Sequence, residues 1–187
     1  DAFGVMPTGS GKSICYQVPA LMREGIALVV SPLISLMKDQ VMALKASGVP
    51  AAYINSSLSL KQLSLVYERL SRGAYRLVYV APERLDTERF LRILSGLQVS
   101  LLAVDEAHCI SQWGQDFRPS YLRILQFLQQ LPRRPVVAAF TATATAQVRQ
   151  DVERILDLRE PVRVVTGYDR PNLYFEVRKG GDRDGQL

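Results

Sequence analysis

The chain has 187 residues, of which 48% are hydrophobic, enough for one well-filled core and, we expect, too few for two complete domains. It contains no run of about eighteen apolar residues and no basic leader followed by an apolar stretch, so we expect neither a membrane span nor secretion, and we predict a cytoplasmic location. Its net charge of +5 weakly favours a polyanionic partner such as nucleic acid.

Apolar, β-branched runs alternate with longer amphipathic segments along the chain. The runs predict strands at residues 2–6, 26–30, 51–54, 77–81, 99–104, 136–140 and 162–166, and their continuous apolar character is typical of strands covered on both faces. The segments between them predict helices at 14–22 and around residues 33–44, 60–70, 121–131 and 148–156. Ser59 and Gln62 form a capping-box signature, and Gly48 is the expected end of the preceding helix. The alternation predicts an α/β fold, a mainly parallel doubly wound sheet with helices on both faces.

The sequence MPTGSGKS at residues 6–13 joins the first predicted strand to the first predicted helix. Its small residues let backbone N–H groups point at a nucleotide phosphate, and the helix adds its positive end. We expect Lys12 to reach the β- and γ-phosphates and the Ser13 hydroxyl to hold Mg²⁺. The phosphate-loop pattern usually begins with glycine, whereas this chain has Met6 at that position. The residues predicted to bind the nucleotide are Thr8, Gly9, Ser10, Gly11, Lys12 and Ser13.

Two adjacent carboxylates, Asp105 and Glu106, follow the fifth predicted strand. Ligands bind at the carboxyl ends of strands in this architecture, so Asp105 suits Mg²⁺ and Glu106 suits the attacking water. His108 is the single histidine of the chain, and we expect it to sense the γ-phosphate. Thr141 and Thr143 end the next strand, where we expect their hydroxyls to bond to the 105–108 turn. The alternative interpretations are an acidic helix start for the carboxylates, a structural role for His108, and an ordinary strand-end turn for the threonines.

The two cysteines, Cys15 and Cys109, lie inside apolar segments without C-x-x-C or Cys/His spacing. We therefore predict that both are small buried residues. They are expected to form neither a disulfide nor a thiolate metal site.

Four motifs together resemble the first motor lobe of a RecQ-family DNA helicase of superfamily 2. They are MPTGSGKS, the Asp-Glu-Ala-His turn at 105–108, the run FTATAT at 140–145, and the run SQWGQDFR at 111–118, which is the most specific of the four. The resemblance covers nearly the whole chain and implies a RecA-like fold that uses ATP and Mg²⁺. It implies that Lys12 and Ser13 bind phosphate and metal, that Asp105 binds metal, and that Glu106 is the hydrolytic base.

The resemblance also implies a set of residues that contact DNA or couple DNA binding to hydrolysis. The segment around Trp113 matches the family's aromatic-rich loop, and an indole beside an arginine independently suits base stacking. Core packing is the alternative for Trp113, although its neighbours are polar and glycine-rich. The predicted DNA-contacting and coupling residues are Ser31, Pro32, Lys38, Pro82, Arg84, Gln112, Trp113, Phe117, Arg118, Thr141 and Thr143.

We expect residues 1–167 to form the ATP-binding lobe, incomplete at its N-terminus, and residues 168–187 to form a linker and the start of a second lobe with a polar tail. The resemblance implies single-stranded or duplex DNA as a partner, together with a second RecA-like lobe that supplies an arginine to the γ-phosphate. The isolated chain is therefore expected to be nearly inactive. The alternatives are the lobe of an RNA helicase and a noncatalytic nucleic-acid-binding module of the same fold.

Overall fold

Seven strands form one parallel sheet in the computed structural model, which describes residues 1–167, 174 and 176. Along the sheet the strands run in the order β3-β4-β2-β5-β6-β1-β7. Each lies within one residue of its predicted position. The bounds are β1 Ala2–Val5, β2 Ile26–Val30, β3 Ala51–Ile54, β4 Leu77–Val80, β5 Val99–Val104, β6 Val136–Thr141 and β7 Val162–Val165.

Helices connect the strands, as the alternating pattern predicted. They are α1 Lys12–Met22, α2 Ile34–Ala46, α3 Leu60–Ser71, α4 Glu88–Leu94, α5 Arg123–Gln130 and α6 Ala146–Ile155. The capping box at the start of α3 is present, with Ser59 and Gln62 each bonded to the other's backbone N–H. Gly48 lies just past the end of α2 in the left-handed region, with φ +76°. The pattern did not reveal α4 or the short 3₁₀ helices Pro82–Arg84, Ala107–Ile110 and Pro119–Leu122.

The sheet separates two apolar cores. Alternate residues of β2 and β5 enter opposite cores, with Ala27 and Leu101 on one face and Leu28 and Leu102 on the other. The buried residues of α1 and α2 cover the first face, and those of α3 to α6 cover the second. The predicted doubly wound α/β sheet with helices on both faces is therefore confirmed.

Two predictions about burial were wrong. All four residues of β7 are exposed, although the run looked like a strand covered on both faces. The reason is its position at the end of the sheet, where β1 is its pairing partner. Cys15 is also exposed, because it lies on the outer face of α1 beside the buried Tyr16, whereas Cys109 is buried as predicted.

The predicted linker and polar tail at 168–187 lie outside the described residues, apart from positions 174 and 176. Within the described part of the chain, no helix is both long enough and apolar enough to cross a membrane.

Candidate nucleotide and nucleic-acid site

The carboxyl ends of the central strands bring the predicted motifs to one edge of the sheet. β5, β6 and β1 are successive neighbours, and Val5 is paired with Thr141. The Met6 N–H donates to the Thr141 carbonyl at 2.9 Å, and the Asp105 N–H donates to the Val30 carbonyl at 2.9 Å. The loops that follow these strands therefore start next to one another, although they are far apart in sequence.

Residues 6–13, which we call the phosphate loop, have a conformation set by the backbone. Gly9 and Gly11 have φ values of +84° and +86°, which a residue with a side chain adopts only under strain. The Ser10 N–H and hydroxyl both bond to the Pro7 carbonyl, at 3.2 and 2.6 Å. The Lys12 ammonium donates to the Met6 carbonyl at 3.2 Å, so it folds back across the loop. Thr8, Gly9, Ser10 and Gly11 are exposed, and α1 begins at Lys12, which leaves its first N–H groups facing the loop.

Lys12 and the two carboxylates share one electrostatic environment. Burial raises the pKa of Asp105 to about 6, with Glu106 adding to the effect and Lys12 opposing it. Burial also raises the pKa of Glu106, and Lys12 again opposes the shift. The structure therefore brings Lys12, Asp105 and Glu106 together, as a site for a metal-bound phosphate requires.

Glu106 has a strained backbone at the end of β5. Its φ of +47° and ψ of +45° lie in the left-handed region, which is costly for a residue with a side chain. The turn is held by the Glu106 N–H, which donates to the Asp105 carboxylate at 3.0 Å, and by the buried Tyr121 hydroxyl, which donates to the Asp105 carbonyl at 2.9 Å. The Asp105 carboxylate is thus held by the next residue of the chain, and the Asp105 backbone is held by Tyr121, a partner that local spacing does not reveal.

His108 joins this turn to the end of β6. Its Nδ1 lies 2.7 Å from the Thr141 hydroxyl and 3.3 Å from Glu106 Oε2. Burial lowers the pKa of His108, although the nearby Asp116 and Asp105 oppose the shift. The Thr141 hydroxyl also bonds to the backbone of Thr143, accepting from its N–H at 3.3 Å and donating to its carbonyl at 3.0 Å. A continuous path therefore runs from Glu106 through His108 to the turn after β6.

The predicted Mg²⁺ residues lie around one buried tyrosine. Burial raises the pKa of Tyr16, with Tyr79 and Asp105 adding to the shift and the Ser13 side chain opposing it. The Ser13 side chain and the Asp105 carboxylate therefore both lie near Tyr16. In the described residues, no group of three or more His, Cys, Asp or Glu side chains could hold a metal. This donor set fits Mg²⁺, which typically takes one or two protein oxygens and completes its shell with phosphate and water.

Residues 111–118, which we call the aromatic loop, lie beside this turn. Trp113 is 74% exposed, which contradicts the core alternative for this residue. His108, Trp113 and Thr143 line one cavity of about 400 Å³. Arg118 donates to Asp116 at 2.7 and 3.0 Å and to the Pro32 carbonyl at 3.3 Å. Its guanidinium is therefore engaged within the protein and ties the loop to the segment after β2.

The other predicted DNA-contacting residues form a row along the same edge, since β4 and β2 are neighbours. Ser31 and Pro82 are buried, Pro32 and Arg84 are half-buried, and Lys38 is exposed on α2. The Nε of Arg84 is buried without a hydrogen-bond partner. Gln112 is exposed and Phe117 is half-buried at the two ends of the aromatic loop. Of the residues after β2 and β4, Lys38 is therefore the exposed cation, and the exposed indole of Trp113 lies on the aromatic loop.

Most of the chain matches the model of one known protein family. Residues 1–152 match the family model described as DEAD/DEAH box helicase. The chain belongs to the DEAD/DEAH box helicase family.

Relatives of this DEAD/DEAH box chain confirm the resemblance to RecQ helicases. It is 55% identical over 183 residues to the ATP-dependent DNA helicase RecQ of Bacillus subtilis, which covers 96% of this chain and 30% of that protein. It is 47% identical over 177 residues to the ATP-dependent DNA helicase RecQ of Pasteurella multocida, which covers 95% of this chain and 28% of that protein. The chain thus spans less than a third of the length of these curated relatives.

Solved structures confirm the predicted RecA-like helicase fold. The helicase domain of Pyrococcus furiosus Hef superposes with a TM-score of 0.64 at 18% identity, covering 88% of this chain and 34% of that one. The DUF1998 helicase MrfA, solved bound to DNA, gives a TM-score of 0.66 at 19% identity, covering 89% of this chain and 23% of that one. At these identities the likeness establishes the fold alone.

Several polar contacts that support the site follow from no recognisable motif in the sequence of this DEAD/DEAH box chain. Gln17 on α1 donates to Gln40 on α2 at 2.8 Å and to the buried Tyr79 hydroxyl at 2.9 Å, so the helix after the phosphate loop is bonded to the helix that carries Lys38. Ser111 and Asp151 form a second buried pair. A polar residue inside an apolar helical stripe is the available signal for Gln17. It shows that a partner is needed but not which one.

Proposed function

We propose that this chain is the ATP-binding and DNA-binding first motor lobe of a RecQ-type helicase, which couples ATP hydrolysis to 3′-to-5′ movement on single-stranded DNA and to duplex unwinding. Single-stranded and duplex DNA are the proposed partners, in repair and recombination of chromosomal DNA in the bacterial cytoplasm. The observation that carries the proposal is the convergence of Lys12, Asp105 and Glu106 beside a loop that exposes Trp113.

The phosphate loop is suited to hold the triphosphate of ATP. The N–H groups at the start of α1 and the Lys12 ammonium provide positive charge where the β- and γ-phosphates would lie. Lys12 contacts the Met6 carbonyl, so its ammonium lies over the loop. Mg²⁺, when bound through Ser13 and Asp105, neutralises phosphate charge and stabilises the transition state.

Glu106 is the proposed base that orients and deprotonates the attacking water. Its raised pKa makes it a better proton acceptor than an ordinary glutamate, and Lys12 helps to keep it ionised. The 3.3 Å contact to His108 Nδ1 holds the carboxylate in one orientation. A change at the γ-phosphate that moves Glu106 would therefore be felt by His108 and, through it, by Thr141.

The aromatic loop is the proposed link from hydrolysis to DNA. Trp113 offers an exposed stacking face for a base, and the cavity below it is shared with His108 and Thr143. Backbone N–H groups at the start of α2 and the Lys38 ammonium would contact phosphodiesters without reading sequence. Arg118 acts within the protein, as the connection between the aromatic loop and Pro32.

A second RecA-like lobe is part of the proposal. An arginine that such a lobe inserts at the γ-phosphate contributes on the order of 10³ to 10⁵ in rate. This chain alone is therefore expected to bind nucleotide weakly and to hydrolyse it very slowly. DNA-stimulated turnover by the 187-residue chain alone, at the rate of a full motor, would contradict this expectation.

The test is ATP hydrolysis by the complete motor, which joins this chain to its second lobe, with oligothymidylate or oligouridylate of equal length. We expect strong stimulation by the DNA and weak stimulation by the RNA. The Glu106→Gln variant should lose stimulated hydrolysis, whereas the matched control Glu68→Gln, on the exposed face of α3, should not. Equal or greater stimulation by RNA would favour an RNA helicase, and hydrolysis unaffected by Glu106→Gln would favour a noncatalytic nucleic-acid-binding module.

A further inference from the structure

A buried hydrogen-bond chain connects the backbone of Trp113 to helix α6. Ser111 is fully buried, and its hydroxyl donates to Asp151 Oδ2 at 2.7 Å. The same hydroxyl oxygen accepts from the Trp113 N–H at 3.1 Å. Asp151 is therefore two hydrogen bonds away from the tryptophan, although the two residues are far apart in sequence.

Asp151 is a buried carboxylate, and both of its oxygens are hydrogen-bonded. Its second oxygen accepts from Arg154 at 3.0 Å, and the residue itself is only 7% exposed. The Ser111 hydroxyl first, and Arg154 second, hold the pKa of Asp151 below its usual value, so it is a carboxylate at neutral pH. A buried carboxylate is costly unless it is hydrogen-bonded, so this geometry fixes the Ser111 hydroxyl in one orientation.

The hydrogen-bonded pair of Ser111 and Asp151 also sets the distance between the aromatic loop and the turn at residues 105–108, which we call the His108 turn. A Cβ placed on Gly114 would come within 2.3 Å of the His108 carbonyl oxygen, so the two backbones are in direct contact there. The Gly114 N–H donates to the Ser111 carbonyl at 3.0 Å, and the Ser111 N–H donates to the His108 carbonyl at 3.1 Å. A shift of Ser111 would therefore separate Trp113 from the turn that contacts Glu106.

Helix α6 is a suitable base for such an anchor. Its first turn is capped by the Thr145 hydroxyl, which accepts from the Val148 N–H, and it follows directly on the turn that holds Thr141 and Thr143. Val148 and Val152 pack the helix into the core on the second face of the sheet. The aromatic loop is thus attached to an element that cannot move without disturbing the core.

We propose that Asp151 is a positioning residue, which holds the aromatic loop against the His108 turn through Ser111 and so keeps Trp113 in place for coupling. The anchoring is a property of this chain, and its consequence for DNA-stimulated hydrolysis rests on the proposed function. Contribution to fold stability alone is the competing role for Asp151.

The first test uses fluorescence, because Trp113 is the sole tryptophan among the 187 residues. Steady-state anisotropy and acrylamide quenching of the chain then report on the aromatic loop directly, with no nucleotide or DNA present. We expect Ser111→Ala and Asp151→Ala to lower the anisotropy and to increase quenching. The double variant should show no more than the larger single effect, because both substitutions break the same connection.

Two controls separate positioning from stability. Asp151→Asn keeps an oxygen that can accept from Ser111, and Arg154→Gln removes an exposed partner of Asp151, so both should retain the anisotropy of the parent chain. The melting temperature of every variant is measured alongside. Unchanged anisotropy in Ser111→Ala and Asp151→Ala would overturn the proposal, as would an equal fall in Arg154→Gln. If Asp151→Ala fails to fold, Ser111→Ala decides the question.

The second test measures coupling in the complete motor. We expect the ratio of DNA-stimulated to DNA-free ATP hydrolysis to fall about tenfold in Asp151→Ala, the factor that corresponds to the loss of one such hydrogen bond, and to recover in Asp151→Asn. The ratio should fall at least as far in Ser111→Ala, which removes both bonds of the hydroxyl. An unchanged ratio in variants whose tryptophan has become mobile would overturn the coupling role. If the parent protein shows no DNA stimulation, the proposed function fails, and the fluorescence result still decides whether Asp151 anchors the loop.

Discussion

The phosphate loop and the aromatic loop lie at the same edge of the sheet but are held in different ways. The phosphate loop is shaped by its own backbone, through Gly9, Gly11 and two bonds from Ser10 to the Pro7 carbonyl. The aromatic loop is held by side chains that reach Asp151 and Pro32, at sequence separations of 40 and 86 residues. The loop proposed to bind phosphate is therefore held by local bonds, whereas the loop proposed to couple hydrolysis to DNA is held by contacts between distant parts of the chain.

This difference predicts that substitutions beside the phosphate loop change the rate of ATP hydrolysis itself. Substitutions in the aromatic loop should instead change how strongly DNA stimulates hydrolysis. The largest effect is expected for Glu106→Gln, which should lower ATP hydrolysis by about 10² to 10⁴ because the general base is lost. Nucleotide affinity should be retained, since the phosphate loop does not depend on Glu106. Single-turnover hydrolysis together with titration of a fluorescent nucleotide measures both quantities. A variant that still hydrolyses ATP at the parent rate would remove Glu106 from the proposed role.

Trp113→Ala tests the proposed role of the aromatic loop. Loss of the stacking face is expected to cost about 1 to 3 kcal/mol, or roughly 5- to 150-fold in affinity for single-stranded DNA. Fluorescence polarisation of a labelled oligothymidylate measures the change, and Trp113→Phe is the matched control because it keeps an aromatic face. Equal losses in the two variants would argue against stacking as the mode of contact.

The buried Asp105 carboxylate beside the phosphate loop is expected to lower the stability of the fold. Since folding raises its pKa from 3.8 to about 6, the unfolded chain loses the proton first as the pH rises. The carboxylate therefore destabilises the fold fully above about pH 6 and not at all well below about pH 4. Asp105→Asn should raise the free energy of unfolding by about 1 to 3 kcal/mol at pH 7, measured with urea and without nucleotide. The gain in the free energy of unfolding should disappear well below about pH 4, where Asp105 is protonated in both states. An equal gain there and at about pH 7 would rule out ionisation as the cause.

The smallest effect is expected for Arg118→Lys at the far end of the aromatic loop. Lysine keeps the charge but cannot bond to Asp116 with two nitrogens while also reaching the Pro32 carbonyl. The expected loss in the free energy of unfolding is about 0.5 to 1 kcal/mol. Urea denaturation measures it, and Arg72→Lys on α3, in an exposed helical pair, should change stability less. If the two substitutions lower the free energy of unfolding equally, the contacts of Arg118 stabilise the fold no more than a surface ion pair does.

The strands could be read from the sequence because burial between two layers of helices requires continuous apolar runs. The exposed β7 shows the limit of that reading, since the same pattern occurs at the end of the sheet. The capping box at Ser59 was readable because its bonds join residues three apart. The Gln17 contacts to Gln40 and Tyr79 were not, because a partner on another helix or strand leaves no trace in local spacing.

The amino-acid sequence by itself determined the alternation of strands and helices, the phosphate loop and the residue types at the strand ends, since each depends on neighbours within a few positions. Only the tertiary structure decided that β1 lies beside β6, that Lys12 approaches Asp105 and Glu106, and that Ser111 meets Asp151. The physical reason is that strand order and buried hydrogen bonds arise from packing the whole chain around two cores, and many orders are compatible with the same local pattern.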